Sequence, residues 1–341
     1  MSGGDILYFN TWYRGHNNAR YEELLPRLER VRPFLLTFPR PRLVRAAADR
    51  AWRGVRSAVE PSILRGLQRR RPYAFVTDLR QLPAIRVPAF IDIDDLDFTE
   101  ENAALLREST AVAYAVTAAS AAQRLEELGV ELPWEVVPQG VALDRLDERA
   151  APAAGAPVVG YLASFLLVGG DRGSEGPLYN VEHLLDLWEG IHARVPEARL
   201  WLVGAASERL RRRVAGRDDI RLFGMLERGE LLAAVRGFDV AVYPRAADPG
   251  IRASKVAEYL GAGVPVVAYD LPVVDDVREA GAGILVSTAD EFRSAVVDLL
   301  SDDALRSRLA AAAALAGARR DWRVLAQRYA ELLDRHLPPL H

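Results

Sequence analysis

Twelve short apolar runs, six in each half of the chain, constrain the fold more than any other feature of this sequence. The runs are rich in valine, isoleucine and phenylalanine, and longer helical or irregular segments separate them. Runs that are apolar along their whole length are typical of parallel strands with helices on both faces of the sheet. The pattern therefore predicts an α/β protein. The predicted strands are residues 6–9, 34–38, 73–77, 90–93, 113–117, 135–137, 158–162, 199–203, 220–223, 240–243, 265–269 and 283–286.

The segment between the two sets of strands predicts a domain boundary. Residues 145–157 are rich in alanine, proline and glycine, which is typical of a linker. A length of 341 residues also favours two domains of about 150 residues each. We predict Rossmann-like domains at residues 1–150 and 151–321, and a final helix at about 322–341 that crosses back to the first domain.

Composition excludes several kinds of site. The chain has no cysteine, which rules out disulfides, thiolate zinc sites and a cysteine nucleophile. Its five histidines are scattered, so no metal cluster is expected. No apolar run approaches the roughly 18 to 20 residues of a membrane-spanning helix, and no secretory signal is recognised, so a cytoplasmic protein is expected.

The segment at 240–270 has the pattern most typical of a ligand site. A predicted strand ends at Tyr243, a loop with Pro249 and Gly250 follows, and a helix is predicted to begin near Ala253. The start of a helix presents free backbone N–H groups and the positive end of its dipole. Such a site suits a diphosphate.

Three charged side chains support that interpretation. Lys255 is the only lysine among 44 basic residues, and it lies in the predicted first turn with Arg252 beside it. Both would add positive charge for a diphosphate. Glu258 lies one turn later and could bind a ribose diol. The alternatives are a solvated first turn for the two cations and a simple interaction with the helix dipole for Glu258.

Residues 254–267, Ser-Lys-Val-Ala-Glu-Tyr-Leu-Gly-Ala-Gly-Val-Pro-Val-Val, resemble the donor-site signature of glycosyltransferase family 4. Residues 136–141, Val-Val-Pro-Gln-Gly-Val, are similar to the end of that family's first domain. The resemblance implies the GT-B fold, with two Rossmann-like domains whose parallel sheets face a central cleft. It also implies transfer of a sugar from a nucleotide-diphosphate donor to an acceptor hydroxyl, with retention at the anomeric carbon and without a metal or other cofactor.

The resemblance also implies which residues bind the donor, with Glu258 on the ribose. Two departures from the family pattern are Gly250, where the first glutamate of a pair is expected, and Tyr179, where many members have lysine. They leave open a catalytically degenerate donor-binding or scaffold protein, and a GT-B sugar-nucleotide epimerase is a further alternative. The predicted donor-binding residues are Gly160, Arg172, Arg245, Gly250, Ile251, Arg252, Ala253, Ser254, Lys255 and Glu258.

Two loops of the first domain are candidates for the acceptor side. His16 lies in a polar loop after the first predicted strand, where α/β sheets bind ligands. Asp94 and Asp95 belong to a group of four acids, with Asp92 and Asp97, at the end of the strand at 90–93. Neighbouring carboxylates raise one another's pKa and can supply a base. We predict His16, Asp94 and Asp95 as catalytic. The alternatives are a solvated histidine and an acidic helix start.

A basic region of the first domain suggests the kind of acceptor. Residues 40–71 contain ten arginines and two acidic residues, whereas the whole chain has a net charge of -3. Such a region could contact anionic lipid at the inner face of the membrane or recognise a lipid-linked pyrophosphate. Solvated arginine-rich helices are the alternative. The acceptor is then a lipid-linked or cell-surface glycan precursor or a natural product, and nucleic acid is not expected.

Overall fold

A computed structural model describes residues 4–13, 19–38, 60–94, 99–145, 155–174, 181–246 and 253–339. The chain divides into two compact units, Met1–Pro138 with Arg323–His341 (unit 1) and Gln139–Trp322 (unit 2). Most of the predicted linker, residues 146–154, lies outside the described residues.

Unit 1 is built on a parallel sheet of six strands in the order β2-β1-β3-β4-β5-β6. The strands are β1 (Ile6–Tyr13), β2 (Val31–Phe38), β3 (Tyr73–Val76), β4 (Ala89–Ile93), β5 (Ala111–Val116) and β6 (Trp134–Val136). The helices described between them are α1 (Ala19–Leu24), α2 (60–68), α3 (Glu100–Arg107) and α4 (Ala119–Glu127). Every residue of β4 is buried, as expected of a strand covered on both faces.

Unit 2 has a second parallel sheet of six strands, in the order β12-β11-β10-β7-β8-β9. Its strands are β7 (Val158–Leu166), β8 (Arg199–Ala206), β9 (Ile220–Gly224), β10 (Val240–Tyr243), β11 (Val266–Tyr269) and β12 (Gly283–Val286). Its helices are α5 (Glu182–His192), α6 (Glu208–Arg213), α7 (Arg228–Arg236), α8 (Ser254–Gly261), α9 (Asp275–Ala280), α10 (Ala289–Ser301) and α11 (Asp303–Arg319). The predicted α/β class and all twelve predicted strands are confirmed.

The order of strands in unit 2 identifies where a ligand is expected to bind. The chain builds the sheet from β7 outward through β8 and β9, then returns to the other side of β7 and continues through β10, β11 and β12. The direction of winding therefore reverses between β7 and β10. In open parallel sheets, ligands bind outside the carboxyl ends of the strands at this point of reversal.

The last helix, α12 (Trp322–His336), packs on unit 1 through a buried polar network. Arg20 of α1 and Asp92 of β4 form a two-pronged salt bridge, with Nε to Oδ2 at 2.9 Å and Nη2 to Oδ1 at 3.2 Å. The Tyr329 hydroxyl of α12 donates to Asp92 Oδ1 at 2.6 Å and accepts from Arg20. Arg20 also donates to the carbonyls of Val137 and Pro138, both at 3.1 Å. The network therefore ties α1, β4, α12 and the end of β6 together.

Burial and charge determine how this network ionises. Arg20 is 3% exposed and Asp92 1% exposed. Burial and the neighbouring Asp92 raise the pKa of the Tyr329 hydroxyl, while Arg20 acts in the opposite direction. The phenol therefore stays protonated and keeps donating to Asp92, and the charged pair keeps its hydrogen bonds although it is out of water.

Candidate functional site

Lys255 lies at the point of reversal in unit 2, in the first turn of α8. Its Nζ lies 4.6 Å from the centre of the Tyr161 ring of β7 and 5.7 Å from that of Tyr243, the last residue of β10. Nζ also donates to the Tyr161 hydroxyl at 3.3 Å. The lone lysine of the chain is thus held between the middle of β7 and the carboxyl end of β10, the two strands between which the sheet reverses.

Arg245 places a second positive charge beside Lys255. It follows β10 by two residues and is 9% exposed. Its Nη1 donates to the Tyr243 hydroxyl at 3.1 Å, and its Cζ lies 5.1 Å from the centre of the same ring. Burial raises the pKa of Tyr161, and the charge of Arg245 and its hydrogen bond to that tyrosine partly offset the effect.

Glu258 supplies the negative charge of the group, one turn after Lys255 on α8. Its side chain is buried, with 8% exposure. The next residue, Tyr259, fixes the helix against the sheet, because its hydroxyl accepts the backbone N–H of Leu162 in β7 at 2.9 Å. This hydrogen bond helps to fix the position of α8 relative to β7, and therefore the positions of Lys255 and Glu258 on that helix.

The surroundings of Lys255 make its charge costly in the absence of an anion. Burial and the charge of Arg245 lower the pKa of Lys255 well below its usual value, and Glu258 raises it only in part. Among the described side chains that act on Lys255, one is a cation and one a carboxylate, so that with Lys255 itself their charges sum to a positive value in a partly buried place. An anion with two or more negative charges would relieve this repulsion, and a diphosphate is such an anion.

The start of α8 offers backbone donors next to these side chains. Ala253, its N-cap residue, has no side-chain group that could cap the helix. By contrast, Thr288 caps α10 and Ser207 caps α6 through their side chains. Uncapped amide groups at a helix start favour an anion. Ser254 is exposed in this first turn.

Gly160 has a packing role that explains it without a ligand. It lies on β7, and a Cβ atom at this position would come within 2.1 Å of the Phe238 ring. The ring therefore lies directly against the glycine. A contact between Gly160 and the donor stays a prediction.

We expect Gly160→Ala to lower the free energy of unfolding by about 1 to 3 kcal/mol, because the added methyl group forces the Phe238 ring to move in a packed core. Gly229→Ala on α7 is the matched control, since a Cβ atom there meets nothing within 4 Å. Denaturant unfolding followed by circular dichroism measures both. Equal stabilities of the two variants would contradict the packing role.

Other predicted site residues lie elsewhere or outside the described part of the chain. Arg172 is exposed in the turn that follows β7, and no described contact joins it to Lys255. Asp94 follows β4 and is half-buried. Burial and Asp92 raise the pKa of Tyr21, and the charge of Asp94 adds to their effect. The predicted residues outside the described ranges are His16, Asp95, Gly250, Ile251 and Arg252.

Sequence reasoning missed both tyrosines of the site and the network around Arg20. Tyr243 lies inside the segment 240–270 that is predicted to bind a ligand, but an aromatic residue at the end of a buried strand is normally assigned to the core. Tyr161 offers the same ambiguous signal. Asp92 belongs to the acidic group from which Asp94 and Asp95 were chosen, and the pairing with Arg20, 72 positions earlier, has no local signal.

Within the described ranges, no group of three or more histidine, aspartate or glutamate side chains is placed to hold a metal ion. Among the same residues, no helix has the length and apolar character needed to span a membrane.

Comparisons with known proteins agree with the predicted family. Residues 164–302 match the family described as glycosyl transferases group 1. A phosphatidyl-myo-inositol mannosyltransferase of Mycobacterium leprae is 35% identical over 195 residues, which are 56% of this chain and 50% of that protein. The Mycobacterium tuberculosis protein of the same name is 31% identical over 199 residues, or 56% of this chain and 51% of that protein. The chain spans about half the length of the curated relatives it matches.

Solved structures establish the fold. HepE of Anabaena, solved with UDP and glucose, has a TM-score of 0.68 at 15% identity, covering 97% of this chain and 99% of that one. Sucrose-phosphate synthase of Thermosynechococcus elongatus has a TM-score of 0.67 at 15% identity, with 97% and 98% coverage. A putative UDP-N-acetylglucosamine 2-epimerase of Listeria monocytogenes gives 0.67 at 12% identity, with 99% and 98% coverage. The predicted GT-B fold is confirmed.

Proposed function

We propose that this chain transfers a sugar from a nucleotide-diphosphate donor to a hydroxyl of an acceptor, as the match of residues 164–302 to the glycosyl transferases group 1 supports. The observation that carries the proposal is the group of Lys255, Arg245 and Glu258 at the point of reversal of the unit 2 sheet. Its charge suits a diphosphate next to a ribose, and it lies inside the matched domain.

In the proposed reaction, the acceptor oxygen forms a bond to the anomeric carbon of the sugar. The bond from that carbon to the diphosphate breaks, and the nucleoside diphosphate leaves with the electron pair. The hydroxyl proton passes to a base or to the leaving group. Negative charge grows on the departing phosphate, so Lys255, Arg245 and the amide groups at the start of α8 would stabilise the transition state.

Glu258 has a separate role in this proposal. A carboxylate accepts hydrogen bonds from both hydroxyls of a ribose, which orients the nucleotide relative to the phosphates. Burial and Arg245 lower the pKa of Lys255, and the charge of Glu258 partly offsets that effect. The helix spacing of three residues places both groups on the same side of α8.

The finer features of the reaction rest on the family resemblance. We propose retention at the anomeric carbon, no requirement for a metal, and an acceptor that is lipid-linked, a glycan precursor or a natural product. The relatives named as phosphatidyl-myo-inositol mannosyltransferases favour a lipid acceptor and contact with the inner face of a membrane. Residues 40–71 are the proposed membrane contact, and His16, Asp94 and Asp95 are the proposed acceptor-side residues.

Calorimetric titration with UDP, GDP, ADP and TDP, and with their common sugars, tests the donor site. The first titrations contain EDTA and the second set contains magnesium, which tests metal independence. We expect one nucleotide to bind selectively without metal. Glu258→Ala should weaken its binding by about 1 to 3 kcal/mol, because hydrogen bonds to a charged group are lost. Glu197→Ala, at an exposed glutamate of unit 2, is the matched control and should bind as the parent does.

The rival functions give different results in the same series. A degenerate scaffold would bind the nucleotide but release no nucleoside diphosphate from its sugar in the presence of acceptor lipids or glycans. An epimerase would interconvert the nucleotide sugar without any acceptor. If no nucleotide binds under any condition, the transferase proposal fails, and an inverted linkage in the NMR spectrum of a product would exclude retention.

A further inference from the structure

Two tyrosines hold the two cations of the donor site. Lys255 lies over the Tyr161 ring and donates to its hydroxyl, and Arg245 lies over the Tyr243 ring and donates to its hydroxyl. Lys255 is also within 5.7 Å of the centre of the Tyr243 ring. Each cation is thus fixed in two ways, by a ring face and by a phenol oxygen.

The rings are themselves fixed by the two halves of the core. Tyr161 and Tyr243 are each 1% exposed. Tyr161 packs in the apolar cluster that contains Val159 and Trp188, whereas Tyr243 packs in the cluster that contains Trp201 and Val256. Because separate clusters anchor them, the two rings approach Lys255 from different parts of the core. Their positions are set by packing in these two clusters.

A ring holds a cation without cancelling its charge. A salt bridge would fix Lys255 equally well, but the carboxylate would compete with a phosphate for the ammonium group. Within the described part of the chain, no salt bridge to Lys255 occurs, and its hydrogen bond goes to a neutral phenol. The negative face of an aromatic ring attracts an ammonium group and leaves its other side open to an anion.

We propose that Tyr161 and Tyr243 are positioning residues that keep Lys255 and Arg245 in place for the diphosphate of the donor. This inference rests on the proposed function, because it assumes that a diphosphate binds at this site. It predicts that the tyrosines act on affinity for the phosphates through the two cations, and that they leave affinity for the nucleoside unchanged.

The test compares Tyr161→Leu, which removes ring and hydroxyl, with Tyr161→Phe, which keeps the ring. Inorganic pyrophosphate and the parent nucleoside of the selected nucleotide are titrated separately by calorimetry. Loss of a desolvated cation–π contact should raise the Kd of Tyr161→Leu for pyrophosphate about tenfold. Tyr161→Phe should restore it to within about threefold of the parent, and nucleoside binding should not change in either variant.

Tyr114→Leu is the matched control, because it opens the same kind of cavity at a fully buried tyrosine of unit 1. It should lose stability as Tyr161→Leu does but bind pyrophosphate as the parent does. Equal weakening of pyrophosphate and nucleoside in Tyr161→Leu would show a merely structural role and overturn the inference, as would unchanged pyrophosphate binding. If the parent protein binds neither nucleotide nor pyrophosphate, the proposed function fails together with the inference. If the parent binds both but Tyr161→Leu gives either overturning result, only the inference fails.

Discussion

Replacing Asp92 by alanine is expected to lower the free energy of unfolding by about 3 to 5 kcal/mol, because it leaves Arg20 charged and buried without its carboxylate. Arg20 would keep the two carbonyls of Val137 and Pro138, but these carry no full charge. Tyr329 would lose the acceptor of its hydroxyl at the same time. Differential scanning calorimetry measures the loss, and the transition that contains unit 1 should move.

Two control variants show how much of the lost stability comes from leaving Arg20 as an unpaired buried charge and how much comes from losing the ion pair itself. The double variant Arg20→Met with Asp92→Leu replaces the pair by apolar side chains and should recover most of the stability, since it removes both buried charges. Arg124→Ala breaks the exposed pair with Glu127 and should cost less than about 1 kcal/mol. A loss in Asp92→Ala no larger than that of Arg124→Ala would contradict the buried-charge argument.

The central strands of each sheet could be predicted from the sequence because burial on both faces makes them largely apolar. Strand β4 is an example, since all five of its residues are buried, including Asp92. The order in which the strands pair within each sheet could not be predicted in the same way. The place where β7 meets β10, which determines the site, depends on contacts between residues about 80 positions apart. Periodicity in the sequence carries no information about such contacts.

The candidate site could be predicted only in part, for a similar reason. Lys255 and Glu258 stand on one helix turn, so their spacing along the chain already places them together. Tyr161 contacts Lys255 from 94 positions away, and its burial gives it the sequence signature of an ordinary core residue. Gly160 also has a packing partner distant in the sequence, because the ring of Phe238 lies against it, and its predicted contact with the donor stays a prediction.

Lys255→Met is expected to reduce affinity for the donor nucleotide by about 100-fold, the loss of a charged hydrogen bond to a phosphate of about 2 to 3 kcal/mol. The same change should leave the free protein as stable as before, or more stable by about 0.5 to 2 kcal/mol, because it removes a charge that burial and Arg245 disfavour. Calorimetric titration and thermal unfolding measure the two effects on one preparation. Arg308→Met, at an exposed arginine of α11, removes one positive charge from unit 2 outside the site and should change neither.

The pH dependence of binding gives the sharpest test of Lys255, because the direction of its pKa shift fixes the sign. The free protein holds this pKa below the usual lysine value, and the donor phosphates would raise it again, so binding takes up a proton. Affinity should be highest below the lowered pKa and should fall as the pH rises through it toward the ordinary lysine range. The stability of the free protein should change in the opposite direction, since the penalty on the charged lysine disappears as it deprotonates.

A nucleotide sugar is the suitable ligand for this titration, because its diphosphate is esterified at both ends and does not itself titrate there. Lys255→Met should lose the decline in affinity at high pH, while Arg308→Met should keep it. Persistence of the same decline in Lys255→Met would assign the proton to another group and remove Lys255 from the phosphate site. If Lys255→Met loses both the 100-fold affinity and the decline at high pH, the ammonium group of Lys255 is the group that takes up the proton and binds the diphosphate.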